Sequence, residues 1–356
     1  MSGHSESGSK AGPQAEAVNT TSADLSNRVP LISVASLVES KGSALDTAAE
    51  IGAACREHGF FYVSDHGIPA ELESRLERLS RDFFKRETAE KLEISMSQGG
   101  HAWRGYFPVG GELTSGKPDL KEGIYFGSEL ASTDPRVRAG LPLHGANLFP
   151  EEPSELKAAV LEYIERMTEL GHALMRGIAL SLGLEEQFFS KNYTGDPLVL
   201  FRTFNYPAPA SSEERGLWGV GEHTDYGLLT ILKQDDCGGL EVKTRAGWIS
   251  APPIPGTFVC NIGDMLDRLT AGLYRSTPHR VRNTAGRDRV SFPFFFDPSF
   301  SAEVKPLPIS DAERAKSTGQ PDRWDGADLQ AFQGTYGEYL LKKVGKVFPD
   351  LGSQVL

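Results

Sequence analysis

Two rhythms of apolar residues divide the chain. Up to about residue 195 the dominant spacing is three to four, the repeat of one helix face. Leu45, Ala48, Ile51 and Cys55 mark a first helix. Leu72, Leu76, Leu79 and Phe83 mark a second over residues 70–92, with charges on its other side. Two short β-type runs flank the first helix: VPLISV (29–34), and GFFYVSDHGIP (59–69), which ends in a turn set by Gly67 and Pro69. A further helix is predicted over residues 154–184, where Leu156, Val160, Ile164, Met167, Leu174 and Ile178 form a stripe suited to backing a sheet. In between, residues 97–153 are dense in Gly and Pro. They predict a long structured loop with a short strand or two, of the kind that carries function in a compact domain.

Past residue 195 the rhythm changes to short runs broken by Gly, Pro and Asp. LVLFRTFNYP (198–207), GLLTILKQ (227–234), GLEVKT (239–244), GWISAPP (247–253), TFVCNIGD (257–264), HRVRN (279–283) and RVSFPFFF (289–296) are spaced like the strands of an antiparallel sandwich or barrel. GTYGEYLLKKVGKVFPD (334–350) predicts a closing helix with a basic last turn. The expected fold is mainly β with α, a helical N-terminal part packed on an all-β core. The expected divisions are a disordered tail (1–28), an N-terminal region (29–153), a supporting helix (154–194), the β core (195–300) and a C-terminal extension with its helix (301–356).

Composition narrows the class. The 356 residues are 39% hydrophobic and 24% charged, ordinary for a globular chain of enzyme size. A net charge of −11 argues against nucleic acid or an anionic membrane as the main partner. Cys55, Cys237 and Cys260 are too few for a disulfide framework, so a reducing compartment is expected. No run reaches the length of a membrane span, and the polar N-terminus has neither an apolar signal core nor an Arg-rich transit pattern. The expectation is a cytosolic monomer acting on a small molecule.

Candidate chemistry concentrates in GEHTDYGLLTIL (221–232). In an extended segment residues i and i+2 share a face, so His223 and Asp225 would aim at one point. Alone, such a pair is more often hydrogen-bonded at the surface, and Asp225 could simply orient the imidazole. The β region holds one other histidine, His279, at the start of a later strand. Two histidines and a carboxylate leave three positions open on an octahedral ion, the non-haem Fe(II) arrangement. Zinc accepts the same donors. Arg289 and Ser291 are again two apart, in a strongly apolar strand. A guanidinium buried there needs an anion, and its fork matches a carboxylate bidentately. Tyr206, just before a strand-ending proline, could reach the same carboxylate, although a lone tyrosine more often packs.

The order NYP, HTDYGLLTIL, GDMLDRLTAGLYRSTPHRV and RVSFPFFF resembles the isopenicillin N synthase-like (iron/ascorbate-dependent oxidoreductase) branch of the 2-oxoglutarate/Fe(II)-dependent oxygenases. VPLISV, REHGFFYVSDHGIP, RGYFPVGGE, DLKEGIYFG and YGEYLLKKVGKVFP extend the resemblance over roughly residues 28–350. It implies a distorted double-stranded β-helix, or jelly roll. It also implies His223, Asp225 and His279 as the catalytic iron ligands. Arg289 and Ser291 would hold the distal carboxylate of 2-oxoglutarate, with help from Tyr206. The implied reaction uses Fe(II), O2 and 2-oxoglutarate, with ascorbate in support. It hydroxylates, desaturates or demethylates a small organic metabolite and releases succinate and CO2. Gly263, Asp264, Asp267 and Arg268 receive a structural role only, the last two as a local ion pair. The substrate is expected between the N-terminal loop and the barrel mouth. Arg104, Tyr106, Phe294 and Phe296 are candidates to touch it, though each also reads as packing. Two other functions are compatible: a same-fold Fe(II) oxidase that closes rings without 2-oxoglutarate, and a non-catalytic binder of a small acid.

Overall fold

Among the described residues, the short runs past residue 195 fold into eight strands rather than seven, and the N-terminal region adds more to the major sheet. The structure is a computed structural model that describes residues 28–347, apart from 40, 209–217, 246, 316–322, 324 and 327. All but the last residue of the tail expected at 1–28 lies outside the described residues, as do positions 348–356 of the C-terminal extension.

The strands are β1 (Leu31–Ser33), β2 (Phe60–Ser64), β3 (Gly105–Phe107), β4 (Leu113–Thr114), β5 (Lys117–Pro118), β6 (Glu122–Gly127), β7 (Leu198–Tyr206), β8 (Val220–His223), β9 (Leu229–Gln234), β10 (Leu240–Thr244), β11 (Gly247–Ser250), β12 (Phe258–Ile262), β13 (His279–Val281) and β14 (Arg289–Asp297). They form a major sheet in the order β1-β2-β12-β9-β14-β7-β6-β3 and a minor sheet in the order β11-β10-β13-β8, with β4 and β5 as a separate hairpin. Among the paired strands of the described residues, only β1–β2 is parallel. This is the jelly-roll architecture with helices on its outer side. The extra strand β8 is four residues long and carries Gly and Glu, so its composition hides it.

The N-terminal region is therefore not a helical part packed on a finished core. β2 adds to the edge of β12, and β6 to the edge of β7. Both are almost wholly buried, as strands covered on two faces are.

The helices follow their stripes. Ser43 caps the helix Ala44–Glu57 by accepting the Asp46 amide, and Ala48, Ile51 and Cys55 are buried in it. Leu45, expected on that face, sits in the first turn and is 66% exposed. The helix Ala70–Phe84 buries Leu72, Leu76, Leu79 and Phe83, and it stops well short of residue 92, giving way to short turns. The long helix Leu156–Ser181 buries the whole predicted stripe and backs the major sheet. The ring of Phe296 lies 2.5 Å from where a Cβ on Gly171 would stand, so the glycine permits this close packing.

Strand β14 sets the two faces of the sheet. Val290, Phe292, Phe294 and Phe296 are buried on the helix side. Arg289, Ser291, Pro293, Phe295 and Asp297 face the interior of the roll. Pro293 has no N–H to give, and the ladder to β7 skips Phe292 and Pro293 without changing register. Among the described residues no helix is long and apolar enough to cross a membrane.

Candidate active site

Strands β8 and β13 are neighbours in the minor sheet, and His223 pairs directly with His279 across them. Their ring centroids are 4.2 Å apart. Asp225 is not in the strand with His223. β8 ends at the histidine, and Asp225 belongs to the turn that leads into β9. The turn still converges the pair: Asp225 Oδ1 lies 3.7 Å from His223 Nε2, and Oδ2 lies 3.7 Å from His279 Nε2. The three potential ligand atoms all lie within 4.8 Å of one another.

The surroundings prepare these side chains as donors. His223 Nδ1 faces the Gly221 carbonyl at 2.8 Å, and His279 Nδ1 faces that of Thr277 at 3.2 Å. A carbonyl partner requires the proton on Nδ1, which leaves both Nε2 lone pairs free. Burial, together with the facing His223, pushes His279 down to about 4, so its ring is neutral at physiological pH. Burial alone would raise the Asp225 carboxyl. The two histidines, the Asn261 amide (2.7 Å) and the Thr230 hydroxyl (2.5 Å) outweigh that and hold it below the usual range. A fixed anion and two imidazoles with their Nε2 atoms turned inward form a donor set for a divalent cation with open positions.

These side chains line a cavity of about 550 Å³. At its deep end stands Arg289, only 1% exposed. Its Nε donates to the Gly238 carbonyl at 2.6 Å, and its Cζ stacks 4.7 Å from the centroid of the Tyr206 ring. Its Nη1 and Nη2 are buried without a hydrogen-bond partner. Two orphaned, parallel N–H donors on a buried cation fit one end of a small dicarboxylate. Ser291 donates to the Tyr206 hydroxyl at 3.3 Å, so Ser291, Tyr206 and Arg289 share one wall. Asp235 anchors that wall by accepting the Val290 amide (2.8 Å) and Arg81 (2.9 Å).

The four residues expected at the substrate do not line the cavity. Arg104 is 1% exposed and donates to the Phe126 and Leu143 carbonyls at 3.2 and 2.9 Å, tying β6 to the loop beyond it. Tyr106 donates to Glu122 at 2.6 Å inside a buried network with Lys91 and Asn205. Phe294 and Phe296 have the wrong strand parity and point to the helix side. Asp267 and Arg268 are not an ion pair: Asp267 accepts the Ser276 amide, and Arg268 donates to Gln330 and the Phe332 carbonyl.

Other residues line the cavity instead. Arg202, on the inward face of β7, lines the cavity at the end away from Arg289. Its Cζ lies 4.0 Å from the centroid of Tyr125 and 4.7 Å from that of Phe295. Its Nε is buried without a hydrogen-bond partner among the described residues, and its bond to Glu112 is long, at 3.4 Å. Burial opposes the charge, but Tyr125, Glu112, Tyr226 and Asp225 outweigh it and raise the pKa above the ordinary arginine value. Parity offered a signal: Arg202, Phe204 and Tyr206 alternate on one face, as Arg289, Ser291, Pro293 and Phe295 do on the next strand. Leu340, Lys343, Val344 and Val347 of the helix Tyr336–Val347 close the same end. No local pattern ties that helix to the site.

Comparison with known proteins agrees with this geometry. Residues 29–152 match the family described as non-haem dioxygenase in morphine synthesis N-terminal, and residues 195–298 match the 2OG-Fe(II) oxygenase superfamily. A probable iron/ascorbate oxidoreductase of Dictyostelium discoideum is 51% identical over 92% of this chain and 97% of its own length. A 1-aminocyclopropane-1-carboxylate oxidase of Dictyostelium mucoroides is 39% identical, covering 91% and 96%. A homoarginine-6-hydroxylase of Glycine max is 38% identical, covering 86% and 91%. The crystal structure of a full-length Neurospora crassa protein in complex with alpha-KG (2-oxoglutarate) and thymine superposes with a TM-score of 0.72 at 27% identity, over 89% of this chain and 96% of that one. The chain belongs to the 2OG-Fe(II) oxygenase superfamily, and it is an oxidoreductase whose cofactors are Fe(II) and 2-oxoglutarate.

Proposed function

We propose that His223, Asp225 and His279 hold the iron, that Arg289 with Ser291 and Tyr206 holds 2-oxoglutarate, and that Arg202 anchors a carboxylate of the prime substrate. The observation that carries the cosubstrate assignment is the pair of orphaned Arg289 donors in the deep end of the cavity. Bound between the three side chains, Fe(II) supplies O2 activation that links decarboxylation of 2-oxoglutarate to oxidation of the substrate.

The chain's own residues divide the rest of the work. Arg289 neutralises the distal carboxylate and fixes the cosubstrate's direction, and its Gly238 bond keeps the guanidinium from turning away. Thr230 and Asn261 keep Asp225 ionised and in place. The apolar side chains of Leu200, Leu232, Phe295 and Val344 limit water in the chamber. Arg202 has an incomplete set of partners and lies on the same inner face as Arg289, four residues along β7 from Tyr206, the strand partner of Arg289, which suits it to a second, substrate carboxylate.

The substrate class follows from that arrangement: a small organic acid, with an α-amino acid as the leading form. Two relatives support it by name, since 1-aminocyclopropane-1-carboxylate and homoarginine are both α-amino acids. We place the enzyme in the cytosol as a monomer without nucleic-acid or membrane partners, in keeping with its net charge of −11.

The test is a screen of amino and other organic acids, scored by succinate release under Fe(II), O2 and 2-oxoglutarate. A substrate is expected to raise succinate release, and Arg202→Met to raise its KM by about a hundredfold, the cost of stripping one partner from a desolvated charge pair. Substrate-independent decarboxylation of 2-oxoglutarate is expected to survive in that variant. Consumption of an acid without succinate would favour the ring-closing oxidase. Tight binding without O2 uptake would favour the non-catalytic binder.

A further inference from the structure

Two buried aspartates flank the turn that carries Asp225, and both reach the C-terminal helix. Asp264, fully buried, donates its backbone N–H to the Asp225 carbonyl at 2.7 Å. The amides of Gly263 and Met265 hold the carbonyls of the next residues, Tyr226 to Leu228. The Asp264 carboxylate accepts from the Tyr339 hydroxyl at 3.0 Å and from Lys343 at 3.4 Å, both on the helix Tyr336–Val347. On the other side, Asp297 packs against Gly227 so closely that a Cβ there would stand 1.4 Å from Oδ1. Its Oδ2 accepts from the Tyr336 hydroxyl at 2.5 Å. The metal turn and the wall formed by this helix are thus braced by the same two carboxylates.

Arg323 closes this brace. Its Nη1 and Nη2 meet the Asp264 carboxylate at 2.9 and 3.0 Å, and Nη2 also donates to the Thr224 hydroxyl at 2.8 Å. Thr224 stands between His223 and Asp225. One guanidinium therefore bonds to the residue that joins these two side chains and to the acid that seats the helix. Asp264 also needs it, because a carboxylate with no exposure requires a counter-ion, and Lys343 at 3.4 Å is a weaker one.

We infer that Arg323 is a positioning residue that fixes the His223–Asp225 turn for metal binding and ties it to the C-terminal wall of the substrate chamber. Nothing in the local sequence links position 323 to position 224. The inference rests on the reading that His223, Asp225 and His279 hold the metal.

The full-length protein can be titrated anaerobically with Co(II) in the presence of 2-oxoglutarate and followed by visible absorbance. Arg323→Ala is expected to weaken Co(II) binding by about tenfold, the lower range for a residue that supports metal ligands from behind. Arg323→Lys keeps the charge and loses the fork, so it should recover binding to within about threefold of wild type. Thr224→Val removes only the acceptor on the turn and leaves the ion pair with Asp264. It should weaken binding by about threefold without a matching fall in Tm, which a purely structural role would not produce. If Arg323→Ala does not fold, Thr224→Val decides. Wild-type affinity and an unchanged spectrum in Thr224→Val, or in a folded Arg323→Ala, would overturn the role of Arg323. Failure of the wild-type protein to take up Co(II) would instead remove the metal assignment, and Arg323's role with it.

Discussion

At the scale of single residues, the site is built from groups whose ordinary partners are missing. Arg289 keeps one bond to Gly238 and leaves two buried donors open, a costly state unless a ligand completes it. Arg289→Met is therefore expected to weaken 2-oxoglutarate binding by about 2–4 kcal/mol, measured by anaerobic titration of the Fe(II) protein, with little loss of metal affinity. Asp297 offers a pH prediction. Burial, reinforced by the Asp225 charge, pushes its carboxyl up to about 7, against the Tyr336 and Leu228 hydrogen bonds. An unfolded aspartate titrates near 3.9, so the folded state binds this proton more tightly. That contribution is present in full below about pH 4 and is lost as pH rises through about 7. Asp297→Asn removes the titration and still offers Tyr336 an acceptor. In the metal-free protein it should gain stability relative to wild type between pH 5 and pH 8, by at most about 4 kcal/mol, as read from urea unfolding at each pH.

At the scale of elements, alternation along β7 and β14 decides which side chains face the cavity and which meet the long helix. This alternation was legible in the sequence. Tyr206 and Arg289 on the inner face put Arg202 and Phe295 there as well, and Phe294 and Phe296 on the outer one. The four substrate candidates stand out by bulk and charge near the expected opening and not by parity, and their side chains are buried away from the cavity. The outer face has its own requirement. Gly171 admits the Phe296 ring, and Gly171→Val should force the long helix off β14, lowering stability by about 1–3 kcal/mol with a corresponding drop in Tm. The density of Gly and Pro over 97–153 marks a structured loop. Its strands β3 and β6 were not legible as members of the major sheet, because a short buried run carries no record of its partner.

At the scale of the whole molecule, the major sheet is shared between segments far apart in the chain. β12 and β7 both present edges that only β2 and β6 cover. Residues 195–300 expressed alone should aggregate through these open edges, whereas the full chain should unfold in urea in one transition by both fluorescence and circular dichroism. The same long-range closure builds the chamber, whose walls come from both sheets, the β4–β5 hairpin and the C-terminal helix.

Sequence alone determined which donor groups stand together in the cavity. A His-x-Asp pair, a later histidine and an Arg-x-Ser on an apolar strand are each set by spacing of two and by residue type. Local geometry then delivers them wherever the strands go. Even so, Asp225 reaches the site from a turn and not from the strand with His223. Tertiary structure alone decided the other end of the cavity. The orphaned Nε of Arg202, the inner face of the helix Tyr336–Val347 and the Arg323 bridge to Thr224 depend on contacts between residues tens of positions apart. No periodicity encodes those contacts, because they follow from how the packed sheets and helices close on one another.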